Sequence, residues 1–276
     1  MYNHSKKRRK LRLQDLDKFI LEDIEGIDHP SDFIKRDKYS VLILRLPEFN
    51  NTIHIVSLAY IIENNNVYTF NRSNKKLEEF GTLDDLANAL NQKVEILISK
   101  IKSYHNAIDN LEESIYESRL SDDFMQEWLS YKKDVSLINR LMFHASITME
   151  QFFLYLKKDI NYDNIVAFED IKEETKRVFD LSRAAIEKLD NLYNFYRAKV
   201  DEKMNKNVYY LTLLSGIFLP LTLATGFFGM NTGGLPFTDD PKGTLKVVGV
   251  SLILEIIFFL PFILQNFKKI KKFKAK

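Results

Sequence analysis

The tripeptide Gly229-Met230-Asn231 is the part of the sequence whose residue types point most directly to chemistry. It ends a stretch of about 20 uncharged residues that begins near Tyr209 and is long enough to cross the hydrocarbon core of a bilayer. A glycine and a neutral amide at the end of such a segment are typical of the mouth of a pore. We interpret the tripeptide as that mouth.

A stripe of small, hydroxyl-bearing and apolar residues leads toward the tripeptide. Its members recur at alternating spacings of three and four and therefore share one face of a helix. They are Asn205, Val208, Thr212, Ser215, Leu219, Thr222 and Gly226. Close packing between membrane helices is one explanation for such a face. The bulky side chains of Val208 and Leu219 favour the other explanation, a pore with hydrophobic constrictions.

Two apolar segments predict two transmembrane helices. The first covers residues 209–229, and the second covers residues 247–267, where Glu255 is the only charged residue. Residues 230–246 connect them on the extracytoplasmic side. A buried core helix is the alternative for each segment, but two such segments in succession, the second followed by lysines, favour membrane insertion.

The distribution of lysines predicts the orientation of these spans. Lysines are concentrated after the second span, in a basic tail of residues 268–276, whereas the connecting loop offers only Lys242 and Lys246 against Asp239 and Asp240. Because positive charge stays on the cytoplasmic side, we expect both termini in the cytoplasm and the chain in the inner (plasma) membrane.

The overall composition excludes several classes of protein. A formal net charge of +2 is too balanced to suggest a nucleic-acid partner, and a sequence without cysteine cannot form disulfides or thiolate zinc sites. The five histidines are scattered without metal-ligand spacing. The sequence contains no P-loop, GxSxG, HExxH or paired-acid motif. We therefore predict neither enzyme activity nor a cofactor.

The residues before the membrane are expected to form a cytoplasmic body in four segments. A basic N-terminal segment covers residues 1–38. A small α/β module covers residues 39–82, rich in Val, Ile, Tyr and Phe, with a hairpin turn at 63–66. Helical periodicity follows over residues 83–160, and a stalk helix covers residues 161–208 after a break near Asn161.

The stalk carries a heptad-like seam that includes Phe168, Val178 and Leu192. Neither Pro nor Gly occurs between Ile165 and Tyr209, so the stalk is predicted to continue without a break into the first span. Such a helix would be about 95 Å long. Because a compact monomer cannot bury that length, we expect several stalks to bundle.

Acidic residues near and within the spans have two interpretations each. In an oligomer, Asp239 and Asp240 would raise the cation concentration at the entrance, or they are an ordinary solvated pair. A charge in mid-bilayer costs about 3 kcal/mol or more, so Glu255 either couples transport to protons or is a neutral acid bonded to the first span.

The sequence resembles the CorA superfamily of divalent-cation transporters. The resemblance rests on Phe218-Leu219-Pro220-Leu221-Thr222 and on residues 226–231, together with the two C-terminal spans, the long stalk and the lysine tail. It covers the chain from about residue 39 to the end.

This resemblance implies a fold and an assembly. The expected fold is an α+β cytoplasmic domain followed by a long stalk helix and two transmembrane helices, in a funnel-shaped homopentamer whose first span lines the pore. Asn231 takes the place of the family's selectivity asparagine, and Gly229 that of the glycine whose carbonyl borders the mouth. Asn205, Leu219 and Thr222 fall on pore-facing positions. Asp170 falls where magnesium-transporting relatives carry a regulatory metal-sensing aspartate, although a solvated stalk residue is the alternative.

The identity of the ion stays open between magnesium and zinc. A neutral ring of amides suits a hydrated dication such as magnesium, which gives up its water reluctantly, and cobalt or nickel are further candidates. Zinc prefers His and Cys, which the predicted pore lacks. The continuation Thr232-Gly233-Gly234-Leu235-Pro236 is, however, similar to the zinc-transporting ZntB branch, whose mechanism could be proton-coupled.

A second class of function is a membrane-anchored oligomeric scaffold without transport. It would explain the heptad seam, but it explains neither the tripeptide nor the polar stripe. Expected partners are therefore other copies of the chain, the lipid bilayer and divalent cations.

Overall fold

The computed structural model describes residues 11–50, 52–116, 123–230, 233–237 and 239–273, with only the helical backbone described at residues 258 and 261–273. The chain divides into two compact units, Met1–Tyr196 and Arg197–Lys276. Parts of the expected functional and basic segments lie outside the described residues, namely residues 1–10, 231, 232 and 274–276.

The first unit contains an antiparallel sheet. A short 3-10 turn (Leu13–Asp15) and helix α1 (Lys18–Glu25) precede strands β1 (Asp32–Lys35), β2 (Ser40–Asn50), β3 (Thr52–Glu63), β4 (Asn66–Asn71) and β5 (Lys76–Thr82). The strands follow one another across the sheet in chain order, and every neighbouring pair is antiparallel. The module expected to be α/β is thus a meander, since connections this short can only join antiparallel strands.

The sheet is buried on both faces. Side chains alternate along β2, with Leu42 and Leu44 in a core shared with the long helices and Val41 and Ile43 in a core shared with α1. Two-sided burial explains why β2 reads as a continuous apolar run. Residues 1–38 were expected to be only a basic segment, yet α1 and β1 lie within them, because Ile20 and Ile24 of α1 are fully buried.

Turns fix the ends of these strands. The predicted hairpin turn is confirmed: Glu63 pairs with Asn66, and Asn64 between them adopts a φ of 53°, which asparagine tolerates better than most residues. At the start of α2, the Asp85 carboxylate accepts the Thr82 amide at 2.8 Å, and the Asp85 amide donates to the Thr82 hydroxyl oxygen at 3.4 Å. This reciprocal cap ends the sheet and begins the helices.

Helices α2 (Leu83–Tyr116) and α3 (Phe124–Tyr155), a π-helical turn (Leu156–Ile160) and helix α4 (Ile165–Phe228) follow. The break before α4 is confirmed at Asn161, which is left-handed with φ 50° and ψ 53°. α4 is one unbroken helix of 64 residues, as predicted from the absence of Pro and Gly in its first part.

The seam of α4 is buried within its own chain. Eight of its positions from Phe168 to Leu192 are buried against α2 and α3. Trp128 of α3 donates to the Leu189 carbonyl at 2.8 Å, and Asn139 donates to the Ser182 hydroxyl at 2.9 Å. The seam up to Leu192 therefore does not need neighbouring stalks to cover it, and the expectation that one chain cannot bury the stalk is wrong for this part. Val200, further along, is 40% exposed.

The second unit consists of the later part of α4, residues 197–228, and helix α5 (Gly243–Phe273). Among the described residues, α4 is long and apolar enough to cross a membrane, and its apolar window has no residue buried within the chain. The second predicted span includes residues whose side chains lie outside the description.

Candidate functional site

The two helices of the second unit pack against each other as an antiparallel pair. A Cβ atom placed on Gly216 of α4 would lie 3.0 Å from Cζ of Phe259 on α5. Nearer the connecting loop, a cavity of about 550 Å³ separates the helices, lined on the α4 side by Leu221, Ala224 and Phe228. These contacts define the face of α4 that α5 covers.

The stripe that runs from Asn205 to Gly226 lies on a different face of α4. With 3.6 residues per turn, the stripe is centred about 160° around the helix from the face that α5 covers. Its members are exposed in the single chain, Leu219 to 70% and Val208 to 54%. The face expected to line a pore is thus left open by the chain's own second helix.

Hydroxyl groups in the stripe are held by the helix backbone. The Thr212 hydroxyl donates to the Val208 carbonyl at 2.8 Å, and the Thr222 hydroxyl donates to the Phe218 carbonyl at 2.6 Å. Because each proton is committed to the backbone, the hydroxyl oxygen keeps its lone pairs for other donors. The stripe can therefore accept hydrogen bonds from the water shell of a cation.

Gly229 follows the last residue of α4, where a side chain would crowd the backbone of the helix. Its amide donates to the Thr225 carbonyl at 2.8 Å, and a Cβ atom at Gly229 would lie 2.8 Å from that same oxygen. Met230 follows in a bend and is 47% exposed. Asn231 lies outside the described residues, so the role of its amide stays a prediction.

The connecting loop holds Asp240 in an ion pair. The Lys246 ammonium contacts the Asp240 carboxylate, whose other oxygen accepts the Lys242 amide at 2.9 Å. The Lys246 ammonium, and then the Lys242 amide, lower the pKa of Asp240 below its usual value. The charge of Asp240 is therefore compensated within the chain, so the expected Asp239-Asp240 pair carries less uncompensated charge than two carboxylates.

The loop also meets α5 in a close approach. A Cβ atom on Gly243 would fall 1.9 Å from the carbonyl oxygen of Phe237, a residue with φ 68°. Lys246 lies 5.9 Å from the centroid of the Phe237 ring. Glycine is thus required at the first residue of α5. Neither this requirement nor the pairing of Lys246 with Asp240 is visible in the sequence, because both depend on how the loop folds.

Glu255 and Asp170 occupy contrasting environments. Glu255 is half-buried on α5, between the exposed residues Leu254 and Ile256. Asp170 is exposed on α4 in the first unit. Within the described part of one chain, no group of three or more His, Asp or Glu side chains could hold a metal ion.

The sequence is similar to those of known transport proteins. The chain is 24% identical over 259 residues to the cobalt/magnesium transport protein CorA of Methanocaldococcus jannaschii, a match that covers 86% of this chain and 78% of that protein. It is 27% identical over 190 residues to the zinc transport protein ZntB of Vibrio parahaemolyticus, covering 65% of this chain and 55% of the relative.

The fold is similar to that of a solved magnesium transporter. The complete structure of the CorA magnesium transporter from Methanocaldococcus jannaschii superposes with a TM-score of 0.71 at 19% identity, over 90% of this chain and 83% of that one. The family model described as CorA-like Mg2+ transporter protein matches residues 1–269. The chain therefore belongs to the CorA-like Mg2+ transporter protein family.

Proposed function

We propose that the chain transports divalent cations across the inner membrane through a central pore of a homopentamer. The observation that carries this proposal is the position of the polar stripe on the face of α4 turned away from α5. Around a symmetry axis, α4 would then be the inner helix and α5 the outer one, with Thr212, Ser215 and Thr222 facing the axis.

Two spans and cytoplasmic termini are part of this proposal. The lysines after α5 and the short connecting loop support the orientation. A dication that enters down the membrane potential gains about 4.6 kcal/mol per 100 mV, twice the value for one elementary charge. The chain thus needs no energy source of its own.

Magnesium is the ion that the chemistry favours. No histidine occurs after His144 and no cysteine occurs anywhere, so α4 and α5 contain neither of the nitrogen and sulfur ligands that zinc prefers. Neutral amide and hydroxyl oxygens can instead hold magnesium through its bound waters. Five Asn231 side chains, bordered by the Gly229 carbonyls, would form the selective ring.

Zinc transport is the second candidate. The relatives named as zinc transport proteins and the Gly233-Gly234 continuation after the tripeptide favour it. Proton coupling would fit the same branch. Transport of cobalt or nickel fits the first candidate equally.

Flux into proteoliposomes tests the proposal. Uptake of magnesium, zinc, cobalt and nickel would be compared with and without a pH gradient. Magnesium uptake driven by voltage alone supports the first candidate, and zinc uptake that requires the gradient supports the second. No uptake of any of these ions by an intact oligomer would overturn transport and leave the membrane-anchored scaffold.

Cysteine accessibility tests the stripe directly. Because the natural sequence has no cysteine, single variants give no background labelling. A charged thiol reagent should block flux through Ser215→Cys. The matched control is Leu214→Cys, on another face of α4, where labelling should leave flux unchanged. Equal effects at both positions would contradict a pore along the stripe.

A further inference from the structure

Pro220 lies inside α4 and leaves one carbonyl of the helix without its usual donor. A proline at position i has no N–H, so the carbonyl at i−4, that of Gly216, loses its intrahelical hydrogen bond. Where α4 packs against α5, away from the proposed pore, such a carbonyl needs another donor, which a side chain of a neighbouring helix can supply. Three hydroxyls of this helix are already committed, since Thr212, Thr222 and Thr225 donate to the carbonyls of Val208, Phe218 and Leu221.

On α5, Glu255 lies level with the part of α4 around Pro220. Val247, Ser251, Glu255 and Phe259 are spaced four residues apart and form one ridge, and each is half-buried. Their neighbours Ile253, Leu254, Ile256 and Ile257 are 58–61% exposed, which marks the ridge as the side toward α4.

Two contacts bracket the position of Glu255. Phe259 meets Gly216 at one end, and Leu252 shares a cavity wall with Leu221 at the other. In an antiparallel pair, Glu255 between them is level with α4 near Pro220. Carbonyl groups point toward the C-terminal end of their helix, so the Gly216 carbonyl is directed toward this same level.

We propose that Glu255 is a positioning residue whose carboxylic acid donates a hydrogen bond to the Gly216 carbonyl left free by Pro220. An acid group in its neutral form has one O–H to donate, and the cost of a charge in mid-bilayer favours that form. The bond ties α5 to α4 at the proline of α4. This inference rests on the proposed membrane insertion, but not on transport or on the ion.

A double-mutant cycle tests the pair, with the melting temperature of the solubilised full-length oligomer as the readout. Glu255→Leu should lower the melting temperature by several degrees, and Glu255→Gln, which keeps a donor, should restore most of it. Pro220→Ala supplies the missing N–H, so Glu255→Leu should cost little more in that background. An equal loss in both backgrounds would overturn the proposal.

Val247→Ala provides the matched control, because Val247 shares the ridge but lies about two turns from Glu255, toward the connecting loop. Its effect should be the same with and without Pro220→Ala. Infrared spectroscopy gives a second readout that packing alone would not move. The wild type should show the carbonyl stretch of a hydrogen-bonded carboxylic acid. This stretch should appear at a shifted frequency in Pro220→Ala and be absent in Glu255→Gln. A carboxylate signal in its place would refute the donor role.

Discussion

The ring of Phe259 covers Gly216 so closely that a Cβ atom on the glycine would lie 3.0 Å from the nearest ring carbon. This contact sets how near α5 comes to α4 in the second unit. Small residues at helix contacts in membranes have this effect, because they let two backbones approach.

Gly216→Leu should therefore separate the two helices. The leucine side chain would occupy the space of the Phe259 ring, and overpacking of this kind destabilises by about 1–3 kcal/mol. The melting temperature of the solubilised oligomer should fall. Gly249→Leu is the matched control, since a Cβ atom at Gly249 meets nothing within 4 Å. Equal melting temperatures for the two variants would contradict the contact.

Asn231→Ala should abolish selective uptake of dications while leaving assembly intact. The pore mouth would lose its amide acceptors but little packing. Flux of magnesium and zinc would be measured beside the oligomer size. Gly233→Ala, in the same loop with open space around its Cβ position, is the control and should transport normally. Unchanged flux in an intact Asn231→Ala oligomer would refute the site.

Leu219→Ala and Val208→Ala should each raise the basal leak of ions. In the proposed pore, each change would remove part of an apolar constriction that excludes water in the closed state. Current through single oligomers in a bilayer measures the leak. The same truncation at Leu214, on a different face of α4, should leave the current low. A gate made of these side chains is wrong if neither variant leaks more than Leu214→Ala.

Lys246→Ala should increase dication uptake at low ionic strength. Removal of the ammonium frees the charge of Asp240 at the proposed entrance, where an uncompensated carboxylate would raise the local cation concentration. Salt should erase the gain, because exposed charges are screened within about 10 Å at 0.1 M. Lys242→Ala, which keeps the backbone contact to Asp240, should show a smaller gain. A salt-independent increase would point to a change in loop structure instead.

Asp170→Asn should keep conductance but remove inhibition by cytoplasmic magnesium. If Asp170 senses metal, carboxylates of neighbouring subunits repel one another when empty, and bound dications bridge them and favour closure. Inhibition curves of wild type and variant measure this. Asp163→Asn, just before α4, serves as the control. Identical curves, or no inhibition of the wild type, would leave Asp170 as a solvated residue of the stalk.

Periodicity predicted which faces of the helices are apolar, but not what covers them. The long helix and the α+β class are confirmed, because uninterrupted helical spacing and clusters of β-branched residues are local signals. The length of the stalk predicts that a single chain cannot bury it, whereas α2 and α3 of the same chain cover the seam through Phe168 and Leu189. A repeat of apolar residues does not indicate which helix packs against it.

Long-range pairs account for the rest of what the sequence did not predict. Helix α1 was missed because its few buried residues, such as Ile20, stand among charged ones, and only the second face of the sheet gives them a partner. The ion pair of Asp240 with Lys246 and the contact of Gly216 with Phe259 depend on how a loop folds and how two helices align.

Because β2 and β3 are buried on both faces, the contrast between a buried and a solvated face does not fix the register of these strands. When one face of a sheet is solvated, a slip by one residue exposes apolar groups and is rejected. Here a slip of β3 past β4 would still place apolar residues on both faces, so hydrophobicity alone discriminates weakly. The information that selects the native pairing resides in the turn, where Asn64 is held at positive φ. Mispaired sheets are thus the folding error to expect when that turn is altered.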